Sequence, residues 1–180
     1  MHAIRSLAVA ASFLVFSLIA IAPASAAEAA FGDKVSADIT YYNRALPTVG
    51  TAGLLLRDGV AEAARLGFQL IVDLRGPAEG LEQEKAAAIR AGIRYVNIPV
   101  TTQLPTDDQV KAFAAIMEDA ATHPILIHCH TANRVGAMWA LYRAGVGVPA
   151  AIALEEGRTA GLKSREAAVR AKLGLGGQGK

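Results

Sequence analysis

Short apolar blocks alternate with longer amphipathic blocks along most of this 180-residue chain. Apolar runs of about four to six residues are typical of strands buried in a parallel sheet. Apolar positions spaced three or four residues apart are typical of helices that cover such a sheet. Strands are therefore predicted at 39–44, 69–74, 94–98 and 124–127, and helices at 54–66, 81–91, 107–121, 135–144, 149–159 and 164–173.

Glycine and proline end most of these blocks, as expected at turns and helix ends. The stretch 46–50 contains both residue types and is predicted to be a loop. Because strands alternate with helices, we predict an α/β fold with a central, mostly parallel sheet of about four to five strands flanked by helices.

The first 26 residues have the pattern of a secretory signal peptide. Arg5 is their only charged residue, an apolar run follows at 7–22, and Ala-Ser-Ala at 24–26 is typical of a cleavage site. The run is shorter than the ~20 residues that a membrane-spanning helix needs. We therefore predict a periplasmic or secreted protein with a signal peptide at 1–26, a linker at 27–38, one domain at 39–173 and a flexible tail at 174–180.

Charge and cysteine content narrow the classes of partner. The formal net charge is only +2, which gives no indication of binding to nucleic acid or, after signal cleavage, to a membrane. The chain has one cysteine, Cys129, so it forms no internal disulfide. A lone thiol is a liability in an oxidising compartment, so its presence in an exported protein favours the interpretation that Cys129 has a function.

The candidate chemistry lies where the predicted strand 124–127 meets the next helix. A loop there begins at Cys129 and ends at Arg134. Free backbone N–H groups and the helix dipole attract an anion at such a junction, and they favour the thiolate form of a cysteine. An arginine fork binds two oxygens of a tetrahedral anion. We therefore predict that Cys129 is a nucleophile and that Arg134 binds the group it attacks; the alternative is that Cys129 is a small buried apolar residue.

Asp73 and Arg75 end another predicted strand. Because ligands bind at the carboxyl ends of parallel strands, this pair either faces the same crevice or forms a structural ion pair. His128 and His130 flank the cysteine, but no second group of ligands accompanies them, so no metal site is predicted.

With these motifs the chain resembles cysteine-dependent protein tyrosine and dual-specificity phosphatases. It resembles more closely the small bacterial branch grouped with the phosphatase domain of beta-lactamase hydrolase-like proteins. The resemblance rests on 71–75, 92–100 and 128–137, and it extends over roughly 41–162. It implies a cysteine-phosphatase-like fold and a two-step hydrolysis of a phosphorylated small molecule or phosphoprotein, without any cofactor.

The resemblance also implies roles for the loop residues. Cys129, as thiolate, attacks phosphorus and forms a phosphocysteine, and His128 orders the loop and holds the thiolate. Arg134 and the N–H groups of the loop bind the equatorial oxygens, where negative charge collects in the transition state. The loop residues so assigned to substrate binding are His130, Thr131, Ala132, Asn133 and Arg134.

Three features depart from the phosphatase pattern. Four residues separate Cys129 from Arg134, where the phosphatases usually have five. Ala132 occupies a position at which glycine is common, and alanine resists a positive φ. Val135 follows Arg134, where a hydroxyl residue that assists the second step is usual.

A general acid is harder to assign. In dual-specificity phosphatases an aspartate follows the strand that corresponds to 95–98, but the loop 99–105 contains no carboxylate here. The candidates are Asp107 and Asp108, whose ordinary role is charge in the first turn of a helix, and Asp73. Losing general acid assistance costs typically 10²–10⁴ in rate, so slow turnover or a preference for good leaving groups is expected.

Two other functions remain open. A spacing of four residues between cysteine and arginine also resembles the rhodanese sulfurtransferases, in which the thiolate carries a persulfide and no general acid is needed. The third reading is a non-enzymatic module that binds phosphate or another anion, which Ala132, Val135 and the missing acid favour.

Overall fold

The computed structural model describes residues 32–176. The predicted signal peptide at 1–26, residues 27–31 of the predicted linker and residues 177–180 of the predicted tail lie outside this range. Among the described residues, no helix combines the length and the apolar character needed to cross a bilayer.

A five-stranded sheet forms the centre of the domain, with the strand order β1-β2-β5-β3-β4. β2, β5, β3 and β4 run parallel, and only β1 is antiparallel to its neighbour β2. The predicted α/β class with a mostly parallel sheet is therefore confirmed. The strands are β1 (Asn43–Leu46), β2 (Val49–Ala52), β3 (Leu70–Asp73), β4 (Arg94–Asn97) and β5 (Ile125–His128).

Within residues 32–176, six α-helices cover the two faces of the sheet. They are α1 (Gly59–Arg65), α2 (Leu81–Arg90), α3 (Asp107–Glu118), α4 (Asn133–Gly145), α5 (Ala150–Thr159) and α6 (Glu166–Lys172), with short 3-10 helices at Pro77–Glu79 and Ala120–Thr122. Ile125 and Ile127 of β5 pack into the core under α3 and α4, whereas Leu126 packs into the core under α1 and α2. This alternation follows from the period of two along a strand.

Helix α4 is apolar on all sides because other elements surround it. Trp139 and Met138 pack into the core beside the sheet, and Ala140 packs into a second core with α5 and α6. A Cβ built at Gly136 would lie 2.2 Å from the backbone nitrogen of Leu162, so only glycine permits this approach of α4 to the chain after α5. The helix that begins in the cysteine loop is thereby fixed on both sides.

The N-terminal part of the domain differs from the prediction. The stretch 46–50 was predicted to be a loop, but β2 begins at Val49 and all four of its residues are buried. The predicted loop is wrong because β2 is stabilised by pairing with β1 and β5, which are not visible in its own pattern.

The predicted strand 39–44 and helix 54–66 are shifted for a related reason. Ile39 forms only an isolated bridge with Leu55, and the N–H of Leu56 donates to the carbonyl of Asp38. These contacts hold residues 54–56 outside any helix, and α1 begins only at Gly59, after a turn at 57–58. Part of the predicted linker also belongs to the folded unit, since the N–H of Ser36 donates to Glu62 at 2.6 Å.

Candidate active site

The loop from His128 to Arg134 lies at the carboxyl end of the central strand β5. His128 is in register with Ala52 on one side and with Asp73 on the other, so the ends of three parallel strands meet here. The first turn of α4 follows directly and directs its free N–H groups at the loop.

Cys129 is 1% exposed and lies at the edge of the core formed with α3 and α4. Its sulfur is nevertheless not surrounded by hydrocarbon alone, because it lies close enough to the guanidinium of Arg134 for the two charges to interact. The hydrogen bonds that Arg134 donates to Glu79 raise the pKa of Arg134, and the charge of Cys129 raises it further. The structure thus brings together the two residues predicted to be the nucleophile and the anion-binding group.

Arg134 is held by a carboxylate that the sequence did not indicate. Its Nη1 and Nη2 donate to the two carboxylate oxygens of Glu79, each at 2.6 Å. Nη1 also lies 3.4 Å from the carbonyl oxygen of Leu74 and 3.5 Å from that of Val100. These partners involve only Nη1 and Nη2, and Nε of Arg134 forms no hydrogen bond among residues 32–176, so Nε is available to a ligand.

Glu79 is itself fixed in position. It lies in the 3-10 helix Pro77–Glu79, and its Oε2 accepts a 2.6 Å hydrogen bond from the N–H of Gly76. The hydrogen bond from Arg134 lowers the pKa of Glu79 to about 2, so the carboxylate is ionised at neutral pH. We therefore assign Glu79 to the positioning of Arg134.

A buried network of charged groups supports the loop from below. His128 has no exposed surface, its Nδ1 lies 3.2 Å from the carbonyl oxygen of Gly53, and its Nε2 lies 2.7 Å from Glu84 Oε1. The second contact is short but is not a well-aligned hydrogen bond. Both ring nitrogens of His128 therefore face oxygen atoms of other segments, which fixes the orientation of the ring.

The same network settles the role of Asp73 and Arg75. Arg75 Nη2 lies 2.7 Å from Asp73 Oδ2 and 2.8 Å from Glu84 Oε2, and Tyr95 donates to Asp73 at 2.7 Å. Burial raises the pKa of Asp73, but the hydrogen bonds from Arg75, the charge of His128 and the hydrogen bond from Tyr95 together outweigh it and lower the pKa. Asp73 and Arg75 are therefore a structural ion pair.

Within residues 32–176, ligand atoms suited to a metal ion come together only at Asp73, Glu84 and His128, within 4.8 Å of one another. Arg75 already binds both carboxylates of this group. A second cation would be repelled by the guanidinium, so this set does not fit a metal ion.

Four short segments surround the mouth of the loop. A Cβ built at Gly53 would lie 3.1 Å from the carbonyl oxygen of His130, one built at Gly76 would lie 3.2 Å from Thr101, and one built at Gly161 would lie 2.5 Å from Ala132 Cβ. The segments that contact the loop from Cys129 to Arg134 or its neighbours are therefore residue 53 with residue 41 beside it, residues 76–80, residues 100–105 and residues 161–165, and we call them the walls of the site.

Residues 45–146, more than half of the chain, match the family described as "Beta-lactamase hydrolase-like protein, phosphatase-like domain". The chain belongs to this family. The phosphatase resemblance inferred from the sequence is thereby confirmed.

The curated relatives of this phosphatase-like domain are longer proteins. The beta-lactamase hydrolase-like protein of Xylella fastidiosa (strain Temecula1 / ATCC 700964) is 34% identical over 84 residues, which are 43% of this chain and 19% of that protein. The chain thus spans about a fifth of the length of the curated relatives it matches.

Solved structures share the fold of the phosphatase-like domain. TpbA of P. aeruginosa is 26% identical, with a TM-score of 0.62 over 79% of this chain and 91% of TpbA. Tk-PTP in its active form is 20% identical, with a TM-score of 0.62 over 74% of this chain and 95% of Tk-PTP. The fold is therefore of the protein tyrosine phosphatase type.

The loop of the phosphatase-like domain carries the other predicted ligand-binding residues. His130 and Thr131 are exposed, and Asn133 is half-buried and hydrogen-bonded to the 163–164 backbone and hydroxyl. Ala132 is buried with φ +61°, so the alanine adopts the left-handed conformation that was expected to favour glycine. Holding a non-glycine residue there costs roughly 1–2 kcal/mol, which the packing of Gly161 against it helps to offset.

The three candidate general acids of the phosphatase-like domain lie outside this mouth. Asp73 is wholly buried in the network below the loop. Asp107 lies in the first turn of α3, 2.9 Å from Lys172, and the hydrogen bond from Lys172 lowers its pKa. Asp108 lies in the same turn, 3.7 Å from Lys111. In the described part of the chain, none of the three pairs with Arg134.

Glu79 and Glu84 are the site residues that sequence reasoning missed. Glu79 stands between two glycines, Gly76 and Gly80, directly after the predicted strand 69–74. A carboxylate in a turn after a strand end was a usable signal, because parallel strands place such turns at the ligand-binding edge. Glu84 gave no such signal, because its position in α2 has the ordinary pattern of a surface helix.

Proposed function

We propose that this domain is a cysteine-dependent phosphatase that hydrolyses phosphomonoesters through a phosphocysteine intermediate. One observation carries the proposal: Arg134, oriented by Glu79, lies beside Cys129 at the N-terminus of α4. This arrangement supports the proposal that a nucleophile and an anion-binding fork act together at one strand-loop-helix junction.

In the first step the Cys129 sulfur attacks phosphorus. The S–P bond forms while the bond between phosphorus and the ester oxygen breaks, and that oxygen takes a proton as it leaves. In the second step water attacks phosphorus, the S–P bond breaks, and inorganic phosphate and the thiolate are released. Arg134 and the loop N–H groups stabilise the charge on the phosphoryl oxygens in both steps.

The identity of the proton donor affects the range of substrates. Because Asp107 and Asp108 pair with lysines and Asp73 is buried, we propose that the leaving oxygen takes its proton from water. Substrates with good leaving groups, such as aryl phosphates, are then favoured by up to the 10²–10⁴ that a general acid typically supplies.

We further propose that the substrate is a phosphorylated small molecule or a phosphoprotein, encountered in the periplasm or outside the cell. Binding of phosphotyrosine by TpbA, which has the same type of fold, supports a substrate of this class. The signal-peptide pattern at 1–26 supports the compartment.

The test is hydrolysis of p-nitrophenyl phosphate by the purified protein and by Cys129→Ser. We expect phosphate release from the unmodified protein and none from the variant. A sulfur-transfer assay from thiosulfate to cyanide runs beside it, because the four-residue spacing between Cys129 and Arg134 also favours a rhodanese-like persulfide chemistry. Thiocyanate formation without phosphate release would replace the proposal by sulfur transfer, and phosphate binding with neither reaction would replace it by an anion-binding module.

A further inference from the structure

The segment 161–165 is attached directly to the end of the catalytic loop. The N–H of Lys163 donates to Asn133 Oδ1 at 2.8 Å, and Asn133 Nδ2 donates to Ser164 Oγ at 2.7 Å. Because Asn133 precedes Arg134, the side chains of this segment are held beside the anion-binding guanidinium.

Arg165 carries a positive charge that forms no ion pair among residues 32–176, although Glu79 lies near enough to interact with it. Arg165 Nη1 donates to the carbonyl oxygens of Thr102 and Gln103, each at 2.5 Å. The side chain is half-buried. Burial lowers the pKa of Arg165, and the nearby charge of Arg134 lowers it further. A half-buried guanidinium that lies near another cation and has no ion-pair partner is stabilised when an anionic ligand binds to it.

Lys163 places a second cation at the same mouth. Its ammonium lies 4.8 Å from the centre of the Tyr41 ring, and Tyr41 is 60% exposed. Tyr41 also contacts Gly53, whose built Cβ would lie 3.1 Å from the carbonyl oxygen of His130. The ammonium of Lys163 therefore connects the segment 161–165 to Tyr41, on the side of the loop where Gly53 lies.

The charges at the mouth do not balance. Glu79 neutralises Arg134, whereas Arg165 and Lys163 have no paired carboxylate in the described part of the chain. A phosphate group bound by the loop uses the Nε edge of Arg134 and the loop N–H groups. The two remaining cations are left for a further anionic group of the same ligand.

We propose that Arg165 and Lys163 form a subsite for a second anionic group, so that the substrate is a phosphomonoester with a further phosphate or carboxylate close to the scissile phosphate. The proposal rests on the phosphatase function proposed above. Arg165 binds the second anionic group through its Nε and Nη2, and Lys163 attracts it as a point charge.

A purely structural role is the competing explanation for Arg165, since its bonds to the backbone of Thr102 and Gln103 tie the 100–105 wall to the segment 161–165. The two roles differ in what they predict. Loosening a wall lowers turnover of all substrates alike, whereas loss of a subsite lowers turnover selectively for substrates with a second charge.

The kinetic test uses phenyl phosphates with a phosphonate, a carboxylate or a neutral carboxamide at the meta position. We expect the unmodified protein to favour the phosphonate over the carboxamide roughly tenfold or more in kcat/KM, since a hydrogen bond to a charged group is typically worth that ratio. Arg165→Met is expected to remove most of the preference, and Lys163→Met part of it. The carboxylate arm shows whether a phosphate-type or a carboxylate group fits better. Arg90→Met, an exposed change of equal charge on α2, is the control and is expected to leave the ratio unchanged.

A binding test separates this proposal from the phosphatase function. Calorimetric titration of Cys129→Ser with the phosphonate and carboxamide compounds measures the subsite without turnover. A tighter phosphonate complex that is lost in Cys129→Ser/Arg165→Met supports the subsite even if the protein hydrolyses nothing. Equal affinity for the two compounds, or an equal loss for both in the double variant, would overturn it.

Discussion

Replacing Glu79 by glutamine tests whether this carboxylate positions Arg134 or competes with the substrate. Glutamine keeps an oxygen for the N–H of Gly76 and for one nitrogen of Arg134, but it removes the charge that makes both 2.6 Å contacts strong. The change is therefore small in shape and large in electrostatics.

The magnitude follows from the pKa of Glu79, which falls from an ordinary 4.5 to about 2. A shift of that size corresponds to about 3 kcal/mol at 1.36 kcal/mol per pH unit. Because the Glu79 side chain is 32% exposed, solvent screening reduces the contribution to the free energy of unfolding to about 1–2 kcal/mol.

The sign of the pH dependence is set by the lowered pKa in the folded state. The stabilisation is complete above the unfolded pKa near 4.5 and is lost as the pH falls towards about 2. We therefore expect Glu79→Gln to unfold more easily in urea at pH 7, and the difference from the unmodified protein to shrink steadily between pH 5 and pH 3.

Enzyme kinetics provide the decisive readout for Glu79→Gln. With Arg134 less firmly oriented, kcat for p-nitrophenyl phosphate should fall roughly 10–100-fold. Inhibition by inorganic phosphate should be unchanged or stronger, because a negative charge near the anion has been removed. An unchanged kcat with tighter phosphate binding would refute the positioning role and identify Glu79 as a competitor for Arg134.

Two further changes test the packing of the loop and its buried support. Gly161→Ala should cost at least 2 kcal/mol of unfolding free energy and reduce kcat, because the new Cβ would lie 2.5 Å from Ala132 Cβ. Gly147→Ala is the control: Gly147 also has a positive φ but has open space around it, so the change should cost only about 1 kcal/mol, and equal melting temperatures for the two variants would contradict the prediction. Tyr95→Phe should lower the free energy of unfolding in urea by about 1–3 kcal/mol, because it removes the hydroxyl that donates to buried Asp73 at 2.7 Å. In Tyr42→Phe the lost hydroxyl is buried and has no hydrogen-bond partner among the described residues, so the change should be neutral or stabilising. The reverse order of the two effects would show that the buried network contributes little to stability.

The regular elements with a strong local pattern could be predicted from the sequence. Strand β5, a run of apolar residues, and strand β3 before Asp73 lie where the pattern places them. Helix α2 starts at Leu81 as predicted, and α4 is the buried apolar helix expected after the loop. These assignments succeed because a period of 2 or 3.6 residues, and the glycines that end it, are properties of the local chain.

Elements that depend on partners distant in the sequence could not be predicted in this way. The stretch Val49–Ala52 becomes a strand only because β1 and β5 pair with it. Ala132 adopts a positive φ, although alanine by itself disfavours this conformation, because the surrounding packing enforces it.

The sequence by itself determined the proposed reactive centre, since Cys129 and Arg134 are separated by only four residues between a strand and a helix, and local geometry is enough to bring them together. Only the tertiary structure decided how that centre is held. Glu79 reaches Arg134 across 55 positions of the chain, and Glu84 reaches His128 from another helix beneath the sheet edge. Such contacts arise from strand order and helix packing, and a one-dimensional pattern of polar and apolar residues carries no record of which distant carboxylate will meet a given cation.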